Sequence, residues 1–374
     1  MEPAVSRRIL AAASPGEVRV AAVEGSELLD YAIWRPGVPD GVGDLYRGRI
    51  IARLPAMAGA FVALGGAEGF LPDSQGAAGT TEGTVLAVRI TRAAQAGKGP
   101  RLSARVSEQN KALTGAGPPA LIRRGPGAVE RIAALHPGAP VLVDDAALAA
   151  ALRPVLGERL SLVSLVLDEE TESQIDALGP TTIPLPGGGW MHVHPTPALV
   201  AIDLDAGEVS ADRRGKAFAQ SAFNRVALPE VARQIRLRNI SGAILIDLAG
   251  MPVRRRSPLA PPLAAALAAD PLRPRLLGFT ALGMAEILRP RVHPPLHELL
   301  SGPHAEGLGA LRCIAADLTT RPDRLPTLVA APSIVAALQT DPVALPDLAR
   351  RAGRPLILRS DPTLAGWRLD LSNV

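Results

Sequence analysis

Cysteines, lysines and aromatic residues are scarce in this chain of 374 residues. Cys313 is the only cysteine, which excludes a disulfide framework and a cysteine-based structural zinc site within one chain, and predicts an intracellular, cytoplasmic protein. Long apolar runs are also lacking, since no stretch of about 18 apolar residues occurs. Residues 1–11 do not have the basic flank and apolar segment of a secretory signal. The sequence therefore predicts no membrane span.

Arginine carries nearly all of the positive charge. Lys98, Lys111 and Lys216 are the only lysines among 40 basic residues, which exceed the 36 acidic residues to give a formal net charge of +4. Arginine favours planar, bidentate contacts with phosphate or carboxylate, although a GC-rich genome would produce the same bias through its codons. Aromatic residues make up 3% of the chain, so the position of each one is informative.

The first third of the chain predicts short strands. Two alternating runs at 18–22 and 28–33 surround a turn and indicate a hairpin. After a linker at 36–43, five strand-like runs separated by glycine-rich turns predict a small five-stranded barrel. These runs are residues 49–53, 59–64, 69–71, 85–90 and 101–104.

The remaining chain alternates helical and apolar strand-like patterns. Two apolar strands, 199–204 and 243–248, flank a helical run at 229–238, which indicates a mixed sheet covered by helices. Residues 311–371 predict a separate small α/β domain, with strands at 311–317 and 355–358. Other helices are expected at 146–156, 165–178, 258–267, 284–288, 332–339 and 345–352.

Three aspartates occupy these two apolar strands. Asp203 and Asp205 share one face of the first strand because side chains alternate with a period of two, and Asp247 ends the second strand. If the strands are neighbours, the carboxylates converge at one edge, where a divalent cation such as Mg²⁺ would offset their repulsion and activate water against a phosphodiester. The alternative is that each aspartate ends its strand and caps the next turn.

Histidines offer a competing interpretation. His192 and His194 lie two residues apart in a strand-like run, and His293 and His297 lie four apart, so transition-metal binding is conceivable. Prolines between the second pair disfavour a regular helix there.

Several segments together resemble the ribonuclease E/G family, and the resemblance runs over most of the chain. The segments are residues 44–50, 60–62 and 69–72 in the barrel region, 172–175, 185–189, 222–224, 232–238 and 244–247 around the aspartates, and 278–286 and 311–371 beyond them.

The resemblance implies a mixed α/β (α+β) protein of several subdomains. An RNase H-like and DNase I-like catalytic core would carry an inserted S1-like OB barrel. The implied divisions are 1–37 and 141–180 for the two RNase H-like parts, 38–112 for the barrel, 113–140 for a reduced 5′-sensor region, 181–300 for the DNase I-like catalytic part and 301–374 for a small C-terminal α/β domain.

The resemblance further implies an endoribonuclease that cleaves single-stranded RNA with Mg²⁺, or with Mn²⁺, leaving a 5′-phosphate. Asp203 and Asp247 fall on the two metal-binding aspartates of the family. Asp205 falls where the family usually has an asparagine that contacts the scissile phosphate. His194 and Glu208 are further departures, because the family often has an acid and usually an arginine at these positions.

Five residues fall on RNA-binding positions of the family. Phe61 and Phe70 would stack on bases, or alternatively fill the barrel core. Lys98 would contact a phosphate, or simply be a solvated loop lysine. Arg123 falls in the pocket for an RNA 5′-monophosphate, and Arg124 replaces the usual threonine beside it; the pair could hold a phosphate bidentately.

Basic clusters at 213–214, 254–256 and 289–291 flank the proposed catalytic unit and are either phosphate contacts or a solvated face. The two-cysteine zinc link that joins family protomers would follow Leu300, but residues 302–305 replace it. We therefore expect no structural zinc, and a monomer or weak homo-oligomer.

Two functional hypotheses follow. The first is a metal-dependent endoribonuclease of RNA processing or decay. The second is a catalytically impaired RNA-binding protein derived from the same scaffold, which the residue at position 205 and the missing zinc link favour.

Overall fold

The structure is a computed structural model that describes residues 7–95, 97–207 and 216–371. Glu208 and the 213–214 arginine pair lie outside the described residues. The described strands are β1 (Arg7–Ser14), β2 (Glu17–Glu24), β3 (Glu27–Trp34), β4 (Leu45–Leu54), β5 (Gly59–Ala63), β6 (Glu68–Pro72), β7 (Val85–Arg92), β8 (Arg101–Ser103), β9 (Ala120–Arg123), β10 (Val141–Val143), β11 (Leu160–Leu162), β12 (Thr182–Leu185), β13 (Gly189–Pro195), β14 (Val200–Asp205), β15 (Gly242–Asp247), β16 (Arg275–Phe279), β17 (Ala285–Arg289), β18 (Thr327–Ala330), β19 (Leu358–Ser360) and β20 (Trp367–Asp370). The described α-helices are α1 (Glu108–Thr114), α2 (Ala128–Leu135), α3 (Ala146–Leu156), α4 (Glu169–Asp176), α5 (Lys216–Leu237), α6 (Ala260–Leu267), α7 (Leu296–Leu299), α8 (Gly302–Thr320), α9 (Pro332–Thr340) and α10 (Ala344–Ala352).

A five-stranded sheet of order β11-β10-β1-β2-β3 combines two distant parts of the chain. β1, β2 and β3 are antiparallel, whereas β10 and β11 continue the sheet in parallel beyond β1. Both faces are covered: α2 and α3 pack on one side, and α4 and α7 on the other. This explains why β2 is buried at nearly every position rather than at alternate ones.

The predicted five-stranded barrel is confirmed. β4, β5, β6, β8 and β7 close on themselves through the β4–β5 pairing, and β9 adds to β4 outside the closed ring. The barrel interior is filled by aliphatic side chains from the alternate strand positions that face inward. They include Ile50, Val62, Leu71, Val88 and Leu102, each at most 1% exposed.

A second large sheet, of order β12-β13-β14-β15-β17-β16, contains the aspartate-bearing strands. β14 and β15 are parallel neighbours joined by the crossover helix α5, and the other pairings are antiparallel. α5 and α6 cover one face of this sheet with a core that includes Ile202, Ile246 and Leu228. The prediction of a mixed sheet covered by helices is confirmed.

Arginines near the end of α5 join the two large sheets. Arg233 Nη1 donates to Leu28 O (2.9 Å) and Arg236 Nη2 donates to Leu29 O (2.6 Å), both on β3. Arg238 donates to the carbonyls of Ala177 and Pro180, beyond α4. These guanidinium groups therefore serve the fold, since their donors satisfy backbone carbonyls.

A small three-stranded sheet of order β19-β18-β20 carries α8, α9 and α10. Two predictions in the second half of the chain are wrong. Residues 311–317 belong to helix α8, because Leu308, Leu311 and Ile314 recur at helical spacing and face one core. Residues 284–288 lie largely in strand β17, where Ala285 and Ile287 are buried in alternation. Short apolar runs fit both patterns.

Candidate functional site

Asp203 and Asp247 are direct neighbours across β14 and β15. The parallel register pairs these two residues, and adjacent strands lie about 4.8 Å apart. Asp203 is exposed and the side chain of Asp247 is 46% exposed. The two strands are neighbours, which was the condition set from the sequence, so two carboxylates face the same solvent region beside each other.

The sheet positions these carboxylates by simple alternation. Val200, Ile202 and Leu204 point into the core, so Asp203 and Asp205 point to the opposite face. Ile244 and Ile246 on β15 place Asp247 on that same face in the same way. The apolar pattern that builds the core therefore fixes the direction of the acidic side chains.

Arg256 holds one oxygen of Asp247. Its Nη1 donates to Asp247 Oδ1 at 2.7 Å, and the arginine is only 8% exposed. The same guanidinium donates to Met251 O and Gly283 O, each at 2.9 Å. Arg256 thus links the loops that follow β15 and precede β17, and it orients the Asp247 carboxylate while leaving the second oxygen without this bond.

Asn224 holds the backbone just beyond Asp247. This fully buried side chain donates from Nδ2 to Ala249 O and accepts from Ala249 N at Oδ1, both at 3.0 Å. The backbone N–H and C=O of Ala249 are therefore both satisfied by a single side-chain amide on α5. This reciprocal contact fixes the path of the chain as it leaves β15.

Asp205 caps a turn. Its Oδ1 accepts a hydrogen bond from Gly207 N at 2.9 Å, which is the turn-capping interpretation for this residue. The other two aspartates differ: Asp247 is bound by Arg256, and among the described residues no group donates a hydrogen bond to the Asp203 carboxylate.

The donor set of this edge suits a hard cation. Within the described residues, no group of three or more His, Cys, Asp or Glu side chains is placed to hold a metal ion. Two adjacent carboxylates nevertheless match Mg²⁺, which is usually held by one or two carboxylates together with waters and phosphate. Asp203 and Asp247 are the residues that would hold it.

The four histidines of the competing interpretation are engaged in different places. His192 is the cross-strand partner of Asp203, and its Nδ1 lies 3.1 Å from Thr182 Oγ1. Its ring stacks on that of His194 with 6.5 Å between centroids. His293 instead pairs with Asp40 at 2.6 Å, and burial lowers the pKa of His297. The structure does not bring the two pairs into one cluster.

Phe61 and Phe70 lie on the outside of the barrel wall. They are cross-strand partners on β5 and β6, and their rings meet edge to face with centroids 5.9 Å apart. Neither belongs to the barrel core, and Phe61 is 36% exposed. The guanidinium carbon of Arg101 lies 6.0 Å from the centroid of the Phe70 ring. The alternative of two core phenylalanines is therefore not supported.

Three arginines cluster next to this aromatic pair. Burial lowers the pKa of Arg92, and the nearby charges of Arg101 and Arg291 lower it further. The Nε atom of Arg92 is buried without a hydrogen-bond partner. Lys98 is exposed in a turn closed by its backbone bonds with Gln95. No carboxylate of the described residues forms an ion pair with Arg92, so this surface carries positive charge.

Arg123 and Arg124 are both exposed but have different partners. Arg123 Nη2 donates to Asn110 Oδ1 at 2.9 Å. Arg124 Nη1 donates to Asp44 Oδ2 at 2.6 Å, and Asp44 is almost fully buried. Arg124 therefore neutralises a buried carboxylate, whereas Arg123 retains more freedom to meet a phosphate.

The arginine clusters contain structural residues that the sequence did not distinguish. Arg256 contacts Asp247, and Arg289 pairs with buried Asp270 at 2.6 Å. Arg254 and Arg255 are exposed. No spacing rule relates Arg256 to an aspartate nine positions earlier, because the contact depends on the loop between them.

Comparisons with known proteins match the aspartate-bearing region to one family. Residues 147–292 match the model of the ribonuclease E/G family. Ribonuclease E from Nostoc sp. is 36% identical over 137 residues, which cover 36% of this chain and 20% of that protein. Ribonuclease E from Escherichia coli K12 is 32% identical over 174 residues, covering 44% of this chain and 16% of that protein. Ribonuclease G from the same strain is 29% identical over 152 residues, covering 39% and 30%.

The region that contains Asp203, Asn224 and Asp247 therefore matches the ribonuclease E/G family, which confirms the resemblance stated from the sequence over residues 147–292. The matches cover between 16% and 30% of the length of these three relatives. None of the described helices is long and apolar enough to cross a membrane.

Proposed function

We propose that this protein is a metal-dependent endoribonuclease that hydrolyses single-stranded RNA. The observation that carries the proposal is the direct pairing of Asp203 with Asp247 on parallel strands, inside the region that matches the ribonuclease E/G family. The relatives named ribonuclease E and ribonuclease G support the same reaction class.

The chain's own groups have distinct roles in this proposal. Asp203 and Asp247 hold Mg²⁺ or Mn²⁺, and the bound cation would activate water and offset charge on the scissile phosphate. Arg256 keeps the Asp247 carboxylate in a fixed orientation, and Asn224 fixes the backbone behind it. Such supporting contacts matter because ligands that are oriented in advance lose less freedom when the ion binds.

The barrel and its arginines supply the RNA-binding surface. Phe61 and Phe70 would stack on bases, and Arg92, Arg101 and Arg291 would meet phosphates. A side chain at Gly242 would collide with Arg291, so Arg291 lies over the first residue of β15. In this proposal the RNA path leads from these residues to the catalytic edge formed by Asp203 and Asp247. Lys98 and Arg123 are further phosphate contacts in this proposal.

The finer subdomain assignments belong to the same proposal. The five-stranded sheet would be the RNase H-like part, the closed barrel the S1-like part, and the sheet of Asp203 and Asp247 the DNase I-like part. The strand orders and the closure of the barrel support these assignments.

The test is cleavage of a fluorescent single-stranded RNA with Mg²⁺ or Mn²⁺. We expect Asp203→Asn and Asp247→Asn each to reduce the cleavage rate by about 100-fold or more, because each removes a charge that stabilises the reacting phosphate through the ion. Asp176→Asn, a change at an exposed helix position on α4, is the matched control and should cleave normally.

The variant Asp205→Asn distinguishes an active endoribonuclease from a catalytically impaired RNA-binding protein. Asparagine can accept the same hydrogen bond from Gly207 N while removing a negative charge that faces the phosphate. If the wild type binds RNA and does not cut, while Asp203→Asn and Asp247→Asn bind equally well, the endoribonuclease proposal is wrong. Cutting that appears only in Asp205→Asn would identify an enzyme scaffold inactivated at this position.

A further inference from the structure

A cavity of about 690 Å³ lies on another part of the molecule, between the first sheet and the barrel. Its walls come from the end of β3, the linker to the barrel, helix α2, the end of α5 and the segment that follows β17. The volume lies within the range of about 300–1,000 Å³ that is typical of small-molecule sites. Asp203, Phe61 and the other residues of the proposed RNA path do not line it.

Nearly all charged side chains that line this cavity already have a hydrogen-bond or ion-pair partner. Asp30 Oδ2 lies 2.8 Å from His136 Nε2, and Asp270 pairs with Arg289 at 2.6 Å. Arg236 donates to Leu29 O. The other charged lining residues with partners are Arg35, Glu130, His293 and His304.

Arg131 is the exception among the charged residues that line the cavity. Its side chain is 21% exposed, its Nη1 atom is buried without a hydrogen-bond partner, and that atom makes only a long ion pair with Asp40 Oδ2, at 4.0 Å. His293 already takes that oxygen at 2.6 Å. Burial lowers the pKa of Arg131, against the weaker effects of Asp40 and Glu130. A guanidinium nitrogen that is buried at a cavity wall without a hydrogen bond favours an anion.

The rest of the wall is largely apolar and partly uncovered. Leu135 lies one helical turn after Arg131 on α2 and is 46% exposed, and Val38 is 57% exposed. Trp34 supplies an aromatic side chain to the same wall. A ligand with a flat apolar body would cover these side chains, and removal of apolar surface from water would favour its binding.

We propose that this cavity binds a small aromatic anion, whose carboxylate or phosphate meets Arg131 and whose ring system packs against Trp34, Val38 and Leu135. The proposal does not depend on RNA cleavage, because none of these residues belongs to the proposed catalytic edge or RNA path.

The experiment is calorimetric titration of the full chain with naphthalene-2-carboxylate and with its uncharged analogue naphthalene-2-carboxamide. The two probes share size and shape and differ in charge. We expect the carboxylate to bind at one site per chain and at least about tenfold more tightly than the amide, as one charge-assisted contact provides. Equal affinities, or no binding of either probe, would overturn the proposal.

Variants locate the site. Arg131→Gln should abolish the preference for the carboxylate, while Arg153→Gln, at an exposed position of α3, should leave it unchanged. Leu135→Glu changes an exposed residue and should weaken carboxylate binding by charge repulsion. This variant therefore tests the site even if Arg131→Gln fails to fold. A preference that persists in both cavity variants would contradict the assignment. Adenosine monophosphate, titrated in parallel, distinguishes a nucleotide from a carboxylate as the source of the anion.

Discussion

Side chains at the proposed catalytic edge have two different roles. Asp203 and Asp247 present oxygens to solvent, whereas Arg256 and Asn224 hold the loop that carries Asp247 in position. Arg256 is almost fully buried, although its partner is half exposed. Its three hydrogen bonds therefore combine a contribution to folding with a contribution to the geometry of the site.

Arg256→Met should slow cleavage more than it weakens RNA binding. The substitution leaves Met251 O and Gly283 O without their donor, at a cost of about 1–3 kcal/mol for each buried group. It also frees the Asp247 carboxylate, and loss of such an orienting contact typically reduces metal affinity or activity by about 10- to 100-fold. Single-turnover cleavage, RNA affinity and urea unfolding would measure these effects.

Arg255→Met is the matched control, because Arg255 is the exposed neighbour of Arg256 in the same short helical turn. Equal cleavage rates in the two variants would show that Arg256 does not orient Asp247.

The raised pKa of Tyr31 predicts that the protein loses stability in alkaline solution. Burial raises its pKa well above the ordinary value of about 10, and Glu17 adds to this effect while Arg19 opposes it. A pKa raised by folding gives stabilisation that is complete below the pKa of the unfolded chain and is lost as the pH rises towards the folded value. The free energy of unfolding should therefore fall above about pH 10.

Tyr31→Phe should reduce that alkaline fall, as measured by urea unfolding across the pH range. The chain has two tyrosines, and the pKa of the other, Tyr46, is also raised by burial. Tyr46→Phe is therefore the comparison, and ultraviolet absorbance of phenolate follows the remaining tyrosine in each variant. An ordinary titration of Tyr31 in the folded protein would contradict this account.

At the scale of single elements, the barrel wall presents an aromatic pair to solvent. Phe61→Ala should weaken binding of single-stranded RNA by about 1–3 kcal/mol, the usual value of one base stacked on an aromatic ring. Stability should change little, because Phe61 is 36% exposed and outside the barrel core. Fluorescence anisotropy of a labelled RNA would measure the affinity.

Val85→Ala provides the control for this element, since Val85 lies on β7 of the same barrel and is 41% exposed. A similar loss of affinity in both variants, or in neither, would show that Phe61 is not a stacking residue.

The elements that the sequence predicted well have unambiguous periodicity. β14 and β15 alternate buried and outward positions, and α3 occupies 146–156 as predicted. The errors at 284–288 and 311–317 concern short apolar runs, where a strand and a helix bury similar residues and only the partners decide. β1 was missed because its run of alanines gives little alternation, and pairing with β2 and β10 determines it.

The site was predictable only where the residues themselves carry the chemistry. Asp203 and Asp247 follow from their strands and from the family resemblance, but the contact of Arg256 with Asp247 crosses a loop whose course the sequence does not specify. The same reason explains Arg124: its pairing with Asp44 depends on β4 and β9 lying together. The expected monomer or weak homo-oligomer stays a prediction.

At the scale of the whole molecule, α5 connects the parts that the proposed reaction needs. Arg233 and Arg236 tie its end to β3, and the backbone of Ala93 in the barrel donates to Val292 O beyond β17 at 2.9 Å. The barrel is therefore attached directly to the sheet that carries Asp203 and Asp247. Under the proposed function, these hydrogen bonds would hold the RNA-binding barrel in a fixed position relative to Asp203 and Asp247.

The most direct test of a shared metal site is a double-mutant cycle. Single-turnover cleavage at saturating Mg²⁺ would be measured for the wild type, Asp203→Asn, Asp247→Asn and the double variant. If both carboxylates act through one ion, the double variant should be no slower than the slower single variant within about threefold, because groups that act as a unit are strongly non-additive. Rate losses that multiply would contradict the account, since they would show two aspartates acting independently.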